Sequence, residues 1–301
     1  MGALLSPLLT IGFLAFVPNY SNGQEKQSDE IFIDYNEFTR GIIQTLKTNR
    51  DQLQFVSSTA IKGRMSEISP SSKAEYRPIT PRKTEMPPEE LVEARTPGVL
   101  IICKYYKPFN GKAEMVDVIA TAIVLSADGL CASNYHVFAQ FIDSSQNLHP
   151  ADSLTFAVNN KGQVFPIERV VAYNRDADAA LFKITRGNVR LSPIPLGETL
   201  KVGSKVSAIT HPNGNLYYYS QGYVNRNTAD LKYGPMADRM EISADYAKGS
   251  SGGPIMNTKG NLVGMVSSTR PIYYAKNDGQ QMVIRRTIPV KSIKMLLETK
   301  L

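Results

Sequence analysis

Four textures of apolar and polar residues follow one another along the chain. Residues 3–17 form a nearly unbroken apolar run. Farther on, Ile31, Tyr35, Phe38, Ile42, Leu46 and Leu53 recur at spacings that place them roughly on one helix face. Gly41 inside that run costs the helix about 1 kcal/mol relative to alanine. Residues 66–90, SEISPSSKAEYRPITPRKTEMPPEE, are polar and repeatedly broken by proline. Proline stops both helices and central strands, so a linker with little structure of its own is expected there. From residue 96 the texture changes to short apolar or alternating runs of strand length, separated by turn residues.

These runs predict a strand-rich domain. GVLIICKYY is one strand, and VDVIATAIVLSADGLCASNYHVF gives two strands joined at Asp128-Gly129. LTFAVNNKGQVFPI reads as a hairpin turning at residues 160–162. RVVAYN, AALFKI, KVSAIT, YYYSQGYVN and RMEISA follow as single strands. PIMNTKGNLVGMVSS is a second hairpin and QMVIRRTIP the last strand. Helical spacing returns only in VKSIKMLLE, where Ile293, Leu296 and Leu297 mark a short terminal helix. The strand spacing fits a sandwich or closed barrels. The expected division is an export segment at 1–23, a helical extension at 24–65, a linker at 66–95 and a β domain at 96–301.

Composition narrows the function classes. Hydrophobic residues make up 42% of the chain, which excludes a protein disordered throughout. The net charge is +7, but no dense Lys/Arg run accompanies it, so nucleic acid is not an expected partner. The N-terminal apolar run has the length of an export-signal core and is short for a membrane span. Ser21-Asn22-Gly23 offers a small-x-small site, with cleavage before Gln24. The expected location is therefore periplasmic or extracellular. The alternative is an uncleaved membrane anchor, since no Lys or Arg precedes the run. Cys103 and Cys131 are the only cysteines. One disulfide is compatible with export, but two buried thiols acting as small hydrophobes is the favoured reading. Neither has a CxxC partner, so no metal site is expected.

The stretch AKGSSGGPIM, residues 247–256, is either a flexible Gly/Ser patch or a rigid turn that presents a serine. A hydroxyl is a poor nucleophile unless a base takes its proton, and histidine is the usual base. The chain has three: His136, His149 and His211. His149 and His211 each precede a proline in a polar loop context. His136 ends the apolar run GLCASNYHV, where a sheet would hold it. A third group must orient the imidazole. Asp178 leads directly into the run Ala179–Ile184, and strand alternation would put it on one face with Ala180, Phe182 and Ile184. A carboxylate entering an apolar strand is costly unless hydrogen-bonded, and a histidine would supply that bond. Asp176 is the second candidate. The backbone N–H groups of Gly249 and Ser251 could together hold a developing oxyanion. Gly252 and Gly253 let backbone pass close to substrate. The proline and strand that follow at once favour the structured turn.

With these residues in view, a family resemblance emerges. GSSGGP resembles the G-D-S-G-G-P of trypsin-like serine proteases, and more closely the G-N-S-G-G-P of HtrA-type bacterial proteases. SNYHVF resembles the HtrA-type T-N-x-H-V, and DAALFKI their D-I-A-L-L-K-I. VGSKVSAITHPNG and NTKGNLVGMVSS are similar to their strand-and-turn and to the hairpin after their serine. The order His136, Asp178, Ser251 is that of the chymotrypsin fold. The resemblance spans about residues 96–299. It implies two six-stranded antiparallel barrels with a Ser-His-Asp triad between them, no metal and no organic cofactor. It also implies endopeptidase activity through an acyl-enzyme on protein or peptide substrates. The alternative is a catalytically silent trypsin fold that binds a peptide or partner protein, which the filled triad positions disfavour.

The pattern departs from the family in several places. Ser250 stands where trypsin has the acid that pairs with a newly cut N-terminus, so activation by that route is not expected. The chain ends soon after the terminal helix, so no PDZ domain is expected. Asp245 falls at the base of the specificity pocket, where an acid in trypsin selects Lys and Arg. HtrA-type proteases have a neutral residue there and prefer small aliphatic side chains. Thr269 replaces a wall glycine of trypsin, and Lys248 could neutralise Asp245, so both preferences stay open. Ser267, in GMVSS, matches the trypsin-like serine that bonds the triad acid, and Ser268 and Thr269 follow it along the substrate strand. The front extension lies outside the resemblance. It packs on the protease body, forms oligomer contacts or covers the cleft as a removable prosegment. Contact with a membrane is expected only if the N-terminal run stays uncleaved.

Overall fold

The computed structural model describes residues 32–106, 115–143, 154–275 and 279–300. The expected export segment and His149 lie outside them. Helix α1 (Tyr35–Asn49) starts at Asp34, whose carboxylate accepts the N–H groups of Asn36 and Glu37. Helix α2 (Ser58–Gly63), strand β1 (Ala74–Tyr76) and helix α3 (Pro88–Arg95) follow. Helix α1 is shorter than its apolar spacing predicts, since it starts only after Asp34 and ends at Asn49, before Leu53.

Two closed antiparallel barrels of six strands make up the body. The first comprises β2 (Val99–Tyr106), β3 (Met115–Val124), β4 (Leu130–Ser133), β5 (Leu154–Val158), β6 (Val164–Asn174) and β7 (Ala179–Ile184). They close in the order β2-β3-β4-β7-β6-β5. The second comprises β8 (Lys205–Thr210), β9 (Tyr218–Thr228), β10 (Arg239–Ile242), β11 (Pro254–Met256), β12 (Leu262–Tyr273) and β13 (Gln280–Pro289). Their order is β10-β13-β12-β11-β8-β9. Helix α5 (Val290–Met295) and strand β14 (Leu297–Thr299) end the described chain. Leu297 therefore opens a strand and is not the last turn of the terminal helix. No helix among the described residues is long and apolar enough to cross a membrane.

Period-two alternation explains both faces of the first barrel. Leu100 and Ile102 join Ala122, Phe165 and Phe182 inside it. Ile101, Cys103 and Tyr105 point outward, where Ile42 and Leu46 of α1 cover them. The front helix thus packs on the first barrel. Cys103 and Cys131 belong to these two different clusters and are both free and buried. Burial raises both thiols well above the ordinary thiol range.

The stretch expected to be an unstructured linker is instead strapped to the body. β1 pairs in parallel with β14, Ala74 opposite Leu297. The Asn261 carboxamide exchanges two hydrogen bonds with the backbone of Arg82, at 2.9 and 2.8 Å. The Met86 N–H donates to the Thr258 carbonyl at 2.8 Å. The partners come from the far end of the sequence, so no local periodicity announces them. Its prolines rule out central strands and helix interiors but not an extended strap.

Candidate active site

The expected site residues meet where the two barrels face each other. Helix α4 (Tyr135–Ile142) follows β4 and carries His136 in its first turn. The sequence reading of His136 as a strand end is therefore corrected. The run GLCASNYHV looks continuous because Phe138 and Phe141 of the helix are also core residues. Phe138 stacks on Phe182 of β7 with centroids 4.7 Å apart, and this packing fixes the helix on the barrel.

Asp178 does not share a strand face with Ala180, Phe182 and Ile184, as alternation predicted. It adopts φ +57°, a left-handed conformation that costs a non-glycine residue on the order of 1 kcal/mol. The turn is over-determined by hydrogen bonds. The Asp178 carbonyl accepts the Tyr135 N–H and the Asn134 carboxamide, each at 3.0 Å. The Asp178 N–H donates to the Arg175 carbonyl at 3.0 Å, and the Ala177 N–H donates to the Asn174 side chain at 2.8 Å. The carboxylate then faces His136. Oδ1 lies 2.9 Å from Nδ1 and 3.1 Å from the His136 backbone N–H. Ser267 donates to Oδ2 at 2.7 Å. The second candidate, Asp176, is exposed, and its carbonyl accepts from Arg239.

On the other side of the imidazole, Nε2 lies 3.1 Å from Ser251 Oγ. The turn that carries Ser251 is pinned to the first barrel through Thr121 of β3. The Thr121 N–H donates to the Ser251 carbonyl at 2.8 Å, and its hydroxyl donates to the Gly249 carbonyl at 3.0 Å. Gly252, at φ +82°, presses against Ser133 and the Thr121 carbonyl so closely that a Cβ there would clash with both. Ser250, at the position of the trypsin acid, is buried and donates to Thr210 at 3.0 Å. The Lys248 carbonyl accepts the N–H of Asn213. A planar trans peptide points its N–H opposite to its C=O, so the Gly249 N–H is turned away from Asn213. No acceptor among the described residues takes the N–H of Gly249 or Ser251. Two free donors beside the serine suit a developing negative oxygen. The His136 side chain is 49% exposed, so the described residues do not seal the triad.

The other expected substrate contacts divide. Ser268 and Thr269 are exposed on β12 beyond the last residue that pairs with β11, so that edge is open. Asp245 is 66% exposed and ion-paired with Arg285 of β13, so its neutralising partner is Arg285 and not Lys248. Tyr246 is buried and its hydroxyl bridges the carbonyls of Ser268 and Arg286, at 3.0 and 2.8 Å. His211, read from sequence as a polar-loop residue, is fully buried at the end of β8. Its Nδ1 accepts the Tyr217 N–H at 2.9 Å, so the ring proton sits on Nε2, toward the Leu100 backbone. Burial pushes this imidazole down to about 3. Sequence reasoning did not single out Thr121, Asn213 or Arg285. Each acts through contacts distant in the chain, although Asn213 lies in the family-like stretch VGSKVSAITHPNG and Asn134 in SNYHVF. Among the described residues no three His, Cys, Asp or Glu side chains are grouped to hold a metal ion.

Comparison with known proteins gives the same context. Residues 120–265 match the trypsin-like peptidase domain. The chain is 31% identical over 142 residues to the anti-sigma-I factor RsgI9 of Acetivibrio thermocellus, covering 46% of this chain and 18% of that protein. It is 28% identical over 226 residues to the chloroplastic Protease Do-like 1 of Arabidopsis thaliana, covering 69% and 48% respectively. The chain thus spans less than half the length of either relative. Among solved structures, an HtrA-type protease, AlgW with a decapeptide, superposes with a TM-score of 0.55 at 20% identity, over 70% of this chain and 66% of that one. At that identity the likeness shows the fold.

Proposed function

We propose that this chain, which carries a trypsin-like peptidase domain, is a serine endopeptidase that cuts peptide bonds in proteins through Ser251, His136 and Asp178. The observation that supports it most is the imidazole of His136, with Nε2 at 3.1 Å from Ser251 Oγ and Nδ1 at 2.9 Å from Asp178. Asp178 keeps the proton on Nδ1, which leaves the Nε2 lone pair for the serine proton. Ser251 Oγ forms a bond to the substrate carbonyl carbon as its proton passes to His136. The carbonyl oxygen becomes anionic and accepts the N–H groups of Gly249 and Ser251. The C–N bond then breaks as His136 returns the proton to the leaving amine, giving an acyl-enzyme. Water, deprotonated by His136, releases the acyl group.

A fluorophosphonate probe tests this reading. Mass spectrometry is expected to locate the adduct on Ser251, and Ser251→Ala to lower turnover by roughly four orders of magnitude or more. Full proteolysis by a clean preparation of Ser251→Ala sinks the assignment. A folded wild type that takes no label is a silent, peptide-binding trypsin fold. Residues 1–23 are read as a cleaved export segment that delivers the enzyme to a periplasmic or extracellular site. An N-terminus at Gln24 in protein from the native host supports this, and an intact Met1 points to the membrane anchor.

A further inference from the structure

We propose that Arg239 is a positioning residue for this reaction: it reaches from the second barrel to the turn of the first that carries Asp178, and fixes the turn and the field around its carboxylate. The inference rests on the triad reading above. Met240 and Ile242 of β10 point into the second barrel. Alternation therefore turns Arg239 outward, toward the facing barrel. There it donates to the Asp176 carbonyl at 2.7 Å, two residues before Asp178. It also donates to the Asp238 carbonyl at 2.9 Å, which tethers the guanidinium to its own strand.

This contact differs from the other supports of the turn. Asn174, Arg175, Asn134 and Tyr135 all belong to the first barrel and move with Asp178. Ser251 belongs to the second. Arg239 and Ser267 are the contacts that register the acid against the barrel that carries the nucleophile. The positive φ at Asp178 makes such registration consequential, because a strained turn relaxes when its anchors are removed.

The guanidinium also carries charge that no neighbouring carboxylate cancels by direct contact. The nearby buried carboxylate, Glu241, is already clasped by Arg226 and Arg286. Among the described residues Arg239 has carbonyl acceptors and no ion pair. Burial lowers its affinity for a proton, and the charge opposing this most strongly is Asp178. The charged groups around the turn are His136 from α4, Arg175 and Asp176 from the turn, Asp238 just before β10 with Lys291 of α5 ion-paired to it, Arg239 of β10, and Arg286 from β13. A cavity of about 370 Å³ beside Arg239 is lined by Asp176 and Asp230 as well as Arg286. Asp176 and Asp230 offset the two arginines of the lining, so the cavity has no net positive charge to hold an anion, and Arg239 keeps the positioning role.

The test compares Arg239→Gln and Arg239→Lys with wild type, following the His136 imidazole by NMR across pH. This readout requires no turnover, so it stands apart from the question of whether the enzyme cleaves peptides. Loss of the cation leaves the Asp178 charge less offset. Arg239→Gln is thus expected to move the His136 titration midpoint upward by about half a pH unit, and Arg239→Lys to leave it near wild type. Both variants should lower kcat by roughly three- to tenfold with KM unchanged, because the turn loses its fork. An unmoved midpoint in a folded Arg239→Gln overturns the electrostatic role. If that variant does not fold, Arg239→Lys decides: wild-type kcat overturns the positioning role.

Discussion

Ser267 and His136 divide the carboxylate of Asp178 between them, Ser267 holding Oδ2 at 2.7 Å and His136 Nδ1 lying 2.9 Å from Oδ1. The serine comes from β12 of the second barrel and the histidine from α4 of the first. One carboxylate therefore bridges the two halves of the molecule.

Removing that bridge from one side is predicted to affect rate more than stability. Ser267→Ala deletes a hydrogen bond to an ionised group, a contact worth about 1.5–3 kcal/mol. The Asp178 side chain, 18% exposed, keeps its contacts with the imidazole and backbone N–H of His136 in this variant, which limits the loss in the resting protein. A fall in kcat of about tenfold is expected, with an unchanged urea midpoint. Wild-type kcat in this variant would remove Ser267 from the machinery.

His211 should make the fold acid-sensitive. Its imidazole is held neutral down to about pH 3 in the folded state, whereas an unfolded chain protonates it near pH 6.5. The unfolded state therefore binds the extra proton first. The contribution is complete above about pH 6.5 and declines as pH falls toward 3, by up to about 1.4 kcal/mol per pH unit. His211→Asn, which keeps an acceptor for the Tyr217 N–H, should flatten the dependence of the urea midpoint between pH 6.5 and 4. An unchanged slope would assign the acid sensitivity to other groups.

The front extension is expected to support the two barrels and not to restrain them. A form starting near Glu89 loses α1, α2, β1 and the Arg82–Asn261 clasp. It uncovers the outward face formed by Ile101, Tyr105, Phe156 and Val158. It also loses Ile61 of α2, which packs in the same cluster as Phe138 and Phe141 of the helix that carries His136. Lower melting temperature, aggregation and reduced labelling of Ser251 are predicted. A stable short form more active than the full chain would show that the extension inhibits.

Cleavage preference should not follow the trypsin pattern. Arg285 already satisfies the Asp245 carboxylate, which is itself 66% exposed. A peptide library is expected to show small aliphatic residues before the cut, for wild type and Asp245→Asn alike. A basic preference that disappears in Asp245→Asn would restore Asp245 to the specificity pocket.

The sequence by itself determined the strand texture of the body, its turns, and the identity and order of His136, Asp178 and Ser251. These are legible because alternation and turn chemistry are properties of neighbouring residues, and because GSSGGP compresses a candidate nucleophile and its glycines into six positions. Only the tertiary structure decided the rest. It placed His136 on a helix whose apolar face made it look like strand, and put Asp178 in a left-handed turn that strand alternation misreads. It sent Cys103 and Cys131 to opposite faces of one barrel wall, tied the proline-rich strap to residues nearly 180 positions away, and set Arg285 on Asp245. In each case a hydrogen-bond, ionic or packing partner comes from a distant part of the chain. The pattern around a single residue carries no record of a partner that only folding brings near.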